Sequence, residues 1–313
     1  MFAYEKVDFH IHYLTSTYKE YLYKQYGAFP DGFPTPAWDL DNQIKFMSGM
    51  NIRYALLGMS SPDFCHHNQA ETKVLVERSN DEISELLKGY EGKLGYMAAL
   101  PLPNISDTLS EIERVLERGA KGFSVCTHAD GVYLGQPELD PIIERLNERK
   151  AIVAIHPTQP SSVPGNVCGG LPIPAMEFLF DTTRTVVNMS GNNIFQRFPD
   201  IKWIVPHAGS FLPVLSDRIQ VFFDYYDNKP NIFSDLKHVY YDIAGFVEPK
   251  LLEMLLRVAP VDHILYGSDF PHTPAESCKM LAISLESTQK LNHQEKLKIF
   301  SENASRIQIM SKE

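Results

Sequence analysis

At 313 residues the chain exceeds most single domains but suits one closed α/β barrel, and 44% hydrophobic with 22% charged residues supports a large core. A net charge of −10 with no cluster of Lys and Arg argues against nucleic-acid binding by counterion release, and no apolar run approaches the ~18 residues that span a membrane. Cys65, Cys126, Cys168 and Cys278 lack Cys-x-x-Cys spacing and Met1–Lys6 lacks a secretory leader, so a cytoplasmic protein with reduced structural thiols is expected.

From the N-terminus, short segments rich in β-branched and aromatic residues predict strands near 5–12, 53–59, 94–100, 121–127, 151–157, 202–207, 238–244 and 263–268. Helical periodicity or helix-starting residues occupy the intervals near 39–48, 70–88, 105–119, 138–149, 176–197, 211–226, 249–258 and 277–290, with further helix at 294–310. Alternation of this kind implies a parallel sheet with helical crossovers. Eight such units close into a (β/α)8 TIM-type barrel, and no G-x-G-x-x-G turn follows the first strand to suggest an open doubly wound sheet. No linker, charge run or repeat divides the chain, so residues 1–313 are taken as a single domain. Two connections are long and both follow a strand. The first, near 13–38, is crowded with Tyr18, Tyr21, Tyr23, Tyr26, Phe29, Phe33 and Trp38, and the second, near 157–175, is rich in Pro and Gly. Both belong on the C-terminal face, as an inserted flap and a pocket wall.

The chemistry-bearing residues fall at that same face. His10 and His12, one residue apart on a strand, point to one side and can converge on an ion. His156, His207 and Asp269 each end, or directly follow, a later strand. A single buried His is ordinarily a hydrogen-bonded core residue, but five polar groups meeting at a barrel mouth are costly unless an ion or substrate satisfies them. Asp8 shares the inward parity of the two histidines and is expected beneath them, either as support or as a satisfied interior carboxylate. His128 follows the fourth strand and reads as a solvated loop residue or a substrate contact, while His66, His67 and His272 have no assigned role.

The strings Asp8-Phe9-His10-Ile11-His12, Gly122-Phe123-Ser124-Val125-Cys126-Thr127-His128, Ile155-His156-Pro157, Arg197-Phe198-Pro199-Asp200, Pro206-His207-Ala208-Gly209, Tyr241-Asp242-Ile243-Ala244-Gly245 and Gly267-Ser268-Asp269 span nearly the whole chain. As a set they resemble the amidohydrolase superfamily, in the branch of metal-dependent nonoxidative decarboxylases that includes the aminocarboxymuconate-semialdehyde, γ-resorcylate and 5-carboxyvanillate enzymes. The resemblance implies that His10, His12, His156 and Asp269 bind one divalent ion, Zn or Mn, with His207 as a neighbouring acid/base group. Its relatives with two metals use a carboxylated lysine on strand four. The lysine here, Lys121, opens that strand far below the rim, so one ion is expected, and Cys126 reads as structural.

The implied reaction is decarboxylation of a small aromatic or unsaturated carboxylic acid, with Asp269 or water on the ion as proton source and His207 tuning the proton inventory. The alternative is hydrolysis of a lactone, amide or ester by the same ion and His207. The resemblance also implies a homodimer. Arg218 is then a candidate to bind substrate in its own site or its neighbour's, although Tyr226 stands where some relatives carry a second arginine.

Overall fold

Eight parallel strands arise from the eight apolar segments: β1 (Lys6–His12), β2 (Ile52–Gly58), β3 (Leu94–Ala98), β4 (Gly122–Cys126), β5 (Ile152–His156), β6 (Lys202–Val205), β7 (Tyr240–Asp242) and β8 (Ile264–Leu265), hydrogen-bonded in that order. The structure is a computed structural model describing residues 2–64, 68–163 and 168–307, so Cys65, His66, His67 and the end of the expected last helix lie outside the described residues. Beyond β8 the chain returns to β1. Phe9 N donates to Tyr266 O at 2.9 Å, and Ser268 N and Asp269 N donate to His10 O at 3.1 and 2.7 Å, which closes the sheet into a barrel. The last strand is shorter than expected because Tyr266 N donates to Ile299 O at 3.1 Å instead of to a neighbouring strand. The fold is therefore the expected (β/α)8 barrel.

Helices α1 (Ser16–Tyr26), α2 (Leu40–Met50), α3 (Gln69–Leu86), α4 (Ile105–Glu117), α5 (Asp140–Glu148), α6 (Glu177–Gly191), α7 (Ile194–Arg197), α8 (Leu212–Phe223), α9 (Ile232–His238), α10 (Leu251–Leu255), α11 (Ala275–Ser287) and α12 (His293–Phe300) occupy the connections. The expected helix at 176–197 is two helices, broken where Asn193 takes a left-handed φ of 54°. The flap holds α1, which sequence periodicity did not reveal because its buried stripe is Thr17, Tyr18, Tyr21 and Leu22, largely polar-tipped residues. Thr15 caps it by accepting from Tyr18 N. Helix α9 was likewise missed, although Asn231 supplies a side-chain cap. No helix among the described residues is long and apolar enough to cross a membrane.

One irregularity positions the site. Asp8 pairs with Ala55 and Ile11 with Leu57, so Phe9 and His10 together face Leu56 in a bulge. Up to the first bulge residue, Val7 and Phe9 join Tyr54, Leu56, Met97, Ile152, Ile204 and Leu265 in the cluster that fills the barrel interior. From the second bulge residue on, His10 and His12 take over the inward face. Asp8 therefore points outward, correcting the parity expected from simple alternation. Its Oδ1 accepts from His10 N and Ser268 N, both at 3.1 Å, and so clamps the closing seam. Below the cluster, Ala304 and Ile307 plug the N-terminal end; the chain past Phe300 thus caps the barrel rather than extending α12 outside it.

Close strand packing generates one prediction. A Cβ on Gly122 would sit 2.6 Å from Ile152 O and 3.0 Å from Ile152 Cβ, against backbone that cannot swing aside. Gly122→Ala should cost about 1–3 kcal/mol, read as a lowered midpoint in chemical denaturation; an unchanged midpoint would show that β4 and β5 can separate without penalty.

Candidate active site

His10 and His12 emerge from β1 on the inward face, His156 ends β5, His207 opens the turn after β6, and Asp269 follows β8. The structure brings all five together. Ring centroids lie 4.9 Å apart for His10 and His12, 5.1 Å for His12 and His156, 5.6 Å for His10 and His156, and 4.9 Å for His10 and His207. Candidate ligand atoms of His10, His12 and His156 all lie within 4.8 Å of one another. Asp269 Oδ1 stands 3.2 Å from His12 Nε2 and 3.5 Å from His10 Nε2.

Each ring is held from behind, leaving its other nitrogen for the cluster. His10 Nδ1 meets Asp242 Oδ2 at 2.8 Å, His12 Nδ1 meets Gly58 O at 3.2 Å, and His156 Nδ1 meets Pro157 O at 2.7 Å. A carbonyl or carboxylate at Nδ1 keeps a proton there and directs the Nε2 lone pair forward. His10 Nε2 and His207 Nδ1 are buried without hydrogen-bond partners, which a buried polar atom tolerates poorly. Ring nitrogens of His10, His12 and His156 that converge beside the Asp269 carboxylate suit a divalent ion. The residues present fit such an ion.

The electrostatics agree. Burial opposes charge on His10, yet the Asp242 and Asp269 carboxylates prevail and push its ring up to about 10. The field that retains a proton there equally favours a cation. Burial, with the charge on His10, lowers His12, holds His156 well below its ordinary range and pushes His207 down to about 4. Asp269 stays ionised, well below the usual carboxylate range, because His10 and His12 outweigh its burial. Left-handed backbone at His207 (φ 52°), Ala208 (φ 54°) and Asp269 (φ 63°) concentrates strain at the rim, as functional sites often do.

Two participants escaped the sequence reading. Asp242 appeared only as part of a quoted string, yet its Oδ1 also accepts from His207 N and Ala244 N, both at 3.1 Å, so one carboxylate orients two rim histidines. Its signal was an acid ending the seventh strand. His272 lies beside the cluster, its ring 5.2 Å from that of His12 and its Nε2 2.7 Å from Ser60 Oγ. Two expectations change. His128 is buried rather than solvated, with Nε2 3.0 Å from Gln159 O, and does not line the cavity. Arg218 is not brought to the cluster by its own chain; it lies exposed on α8 with its guanidinium 5.4 Å from the Phe222 ring centroid. Lys121 precedes β4, at the end of the barrel opposite the histidines, and Cys126 is buried.

Above the cluster opens a cavity of about 480 Å³. His156, His207, Asp269 and His272 form its polar floor, while Phe33 of the flap, Phe178 and Phe246 supply aromatic walls. Most flap aromatics pack elsewhere: Tyr18, Tyr21 and Trp38 are buried against the barrel, and Tyr23 and Phe29 are exposed.

Comparison with known proteins places this geometry. Decarboxylase yanB of Aspergillus niger is 29% identical over 293 residues, covering 87% of this chain and 79% of the relative. The 6-methylsalicylic acid decarboxylase of Penicillium expansum is 26% identical over 292 residues, covering 90% of each. Among solved structures, a dihydroxybenzoic acid decarboxylase from Polaromonas sp. JS666, with bound manganese and 2-nitroresorcinol, shares the fold at a TM-score of 0.83, 21% identity, and coverage of 97% of this chain and 96% of that one. A protein described as amidohydrolase II superposes with a TM-score of 0.94 at 39% identity, over 97% of this chain and 99% of that one. The family model described as Amidohydrolase matches residues 7–307, nearly the whole barrel together with its rim of histidines, and the chain belongs to that family.

Proposed function

We propose that the protein is a metal-dependent nonoxidative decarboxylase of a small aromatic carboxylic acid. The observation that carries this reading is the histidine–aspartate cluster opening directly into a cavity of about 480 Å³ with aromatic walls, room for one substituted ring. The decarboxylase names of the curated relatives support it over hydrolysis. His10, His12, His156 and Asp269 would hold one Zn or Mn ion. Such an ion supplies Lewis-acid attraction for the substrate carboxylate and a neighbouring oxygen.

The chain's own residues then handle the proton. The carboxylate of Asp269, ionised and fixed by Thr273 Oγ1 at 2.8 Å from Oδ2, takes the acidic proton of a ring hydroxyl and returns it to the carbon bearing the carboxylate. The bond to CO2 then breaks, and its electron pair restores the ring. His207, uncharged and held by the turn after β6, faces this exchange as a hydrogen-bonding acid/base group. The apolar walls exclude water that would compete for the proton.

We further propose that the enzyme is a cytoplasmic homodimer joined through α8. Val214, Val221 and Phe222 are exposed at helical spacing around Arg218, with exposed Tyr225 in the turn just beyond the helix, and a face of that kind calls for a partner. Pairing about a two-fold axis would bury Arg218 of each subunit in the shared interface, where it could reach the neighbour's substrate. Buried thiols outside any disulfide, Cys126 and Cys278, suit a reducing compartment.

Three measurements test these readings. Asp269→Asn should lower CO2 release from a panel of hydroxybenzoic acids by about 10²- to 10⁴-fold while the folded signal persists; full activity in that variant, or turnover only on a parallel lactone panel, would overturn the mechanism. Asp242→Asn should weaken divalent-ion binding about 10- to 100-fold in chelator competition, and unchanged affinity would remove Asp242 from the site. Phe222→Glu should halve the mass seen by light scattering and reproduce the loss of kcat/KM in Arg218→Ala; a protein monomeric before mutation contradicts the dimer.

A further inference from the structure

The cavity's charge is lopsided. Among the described residues lining it there is no Lys or Arg, and its acids are Asp269, part of the histidine cluster, and Asp31, contributed by the flap. Asp31 sits in the single turn Pro30–Gly32 with a left-handed φ of 54°, a conformation that costs energy for a residue with a side chain. Its position is built rather than incidental. The Ser61 hydroxyl, just beyond β2, donates to Asp31 Oδ2 at 2.8 Å and also lies 2.8 Å from Thr158 Oγ1, two residues past His156. Oδ1 has no hydrogen-bond partner among the described residues. Partial burial, opposed by the Ser61 hydrogen bond, pushes the group up to about 6, so it is near the point where it can either give or accept a proton.

Resting on the decarboxylase reading, we propose that Asp31 is a specificity-determining residue: it binds a ring hydroxyl remote from the reacting carboxylate and rejects acids carrying a second carboxylate. With Oδ2 held by Ser61 and Oδ1 open toward the cavity, the carboxyl of half-buried Asp31 is placed to accept a hydrogen bond from a ligand hydroxyl. A second anion at the same place would meet Asp31 with no cationic side chain among the described lining to offset the repulsion. The reacting carboxylate would escape that penalty because the histidine cluster that would hold the ion lies on the floor.

The test uses manganese-loaded protein and two variants chosen to tolerate the left-handed turn, Asp31→Asn and Asp31→Gly. Calorimetry compares phenol with resorcinol and hydroquinone, and turnover compares 2-hydroxybenzoate with its 4- and 5-hydroxy derivatives and with 2-hydroxyterephthalate. In the natural protein a remote hydroxyl should improve affinity and kcat/KM about ten-fold, or about 1.4 kcal/mol, and 2-hydroxyterephthalate should be refused. Asp31→Gly should erase the hydroxyl preference while phenol still binds, and Asp31→Asn should keep most of it yet admit the dicarboxylate. An unchanged preference in Asp31→Gly, or equal handling of mono- and dicarboxylate by the natural protein, overturns the assignment. Absence of turnover on every acid, with the calorimetric preference intact and lost in Asp31→Gly, would refute the decarboxylase reading and leave the hydroxyl subsite standing.

Discussion

The Asp242 carboxylate is the interaction on which the site depends. Through Oδ2 it holds His10 of β1, and through Oδ1 it holds the backbone of His207 after β6 and of Ala244 beyond β7. One buried anion thus ties two segments remote in sequence, at His10 and His207, to the end of β7, and its charge favours a cation at the cluster. Burying a carboxylate is expensive, and Asp242 offsets that cost only because every partner is in place. It stays below the usual carboxylate range despite its burial, through the charge and hydrogen bond of His10.

The barrel then serves as a frame that makes convergence geometrically cheap. Strands β1, β5 and β7 end at one rim, so His12, His156 and Asp242 need only be last in their strands to meet. Finer aim comes from departures from regularity. The bulge at Phe9–His10 turns two histidines inward, and left-handed backbone at His207 and Asp269 redirects those side chains after their strands have ended. Precision at the mouth is thereby separated from the packing below it.

The strand segments and the five rim residues were legible in the sequence because period-two apolar runs and residues at strand ends are local signals. Asp8 was misread because a bulge is decided by competition between side-chain and ladder hydrogen bonds, here Asp8 Oδ1 taking His10 N, which alternation alone does not encode. Helix α1 was hidden by tyrosines that count as apolar only once packed. The roles of Asp242 and Asp31 depend on partners dozens to hundreds of residues away, and no spacing rule reports them. Arg218 illustrates the opposite limit, a residue whose surroundings within one chain do not supply its purpose.

The plug of Ala304 and Ile307 beneath the interior cluster has a kinetic consequence. With the barrel filled below the histidines, passage among the described residues runs through the cavity above, and whatever enters by that route must leave by it. If the proposed reaction holds, gas and ring would be released in turn through one doorway. Under the proposed decarboxylation, a phenolic product lingering there would delay the next substrate, and bicarbonate at high concentration would meet a ring still seated, so a dead-ended barrel would tie product inhibition and reverse carboxylation to the same structural cause.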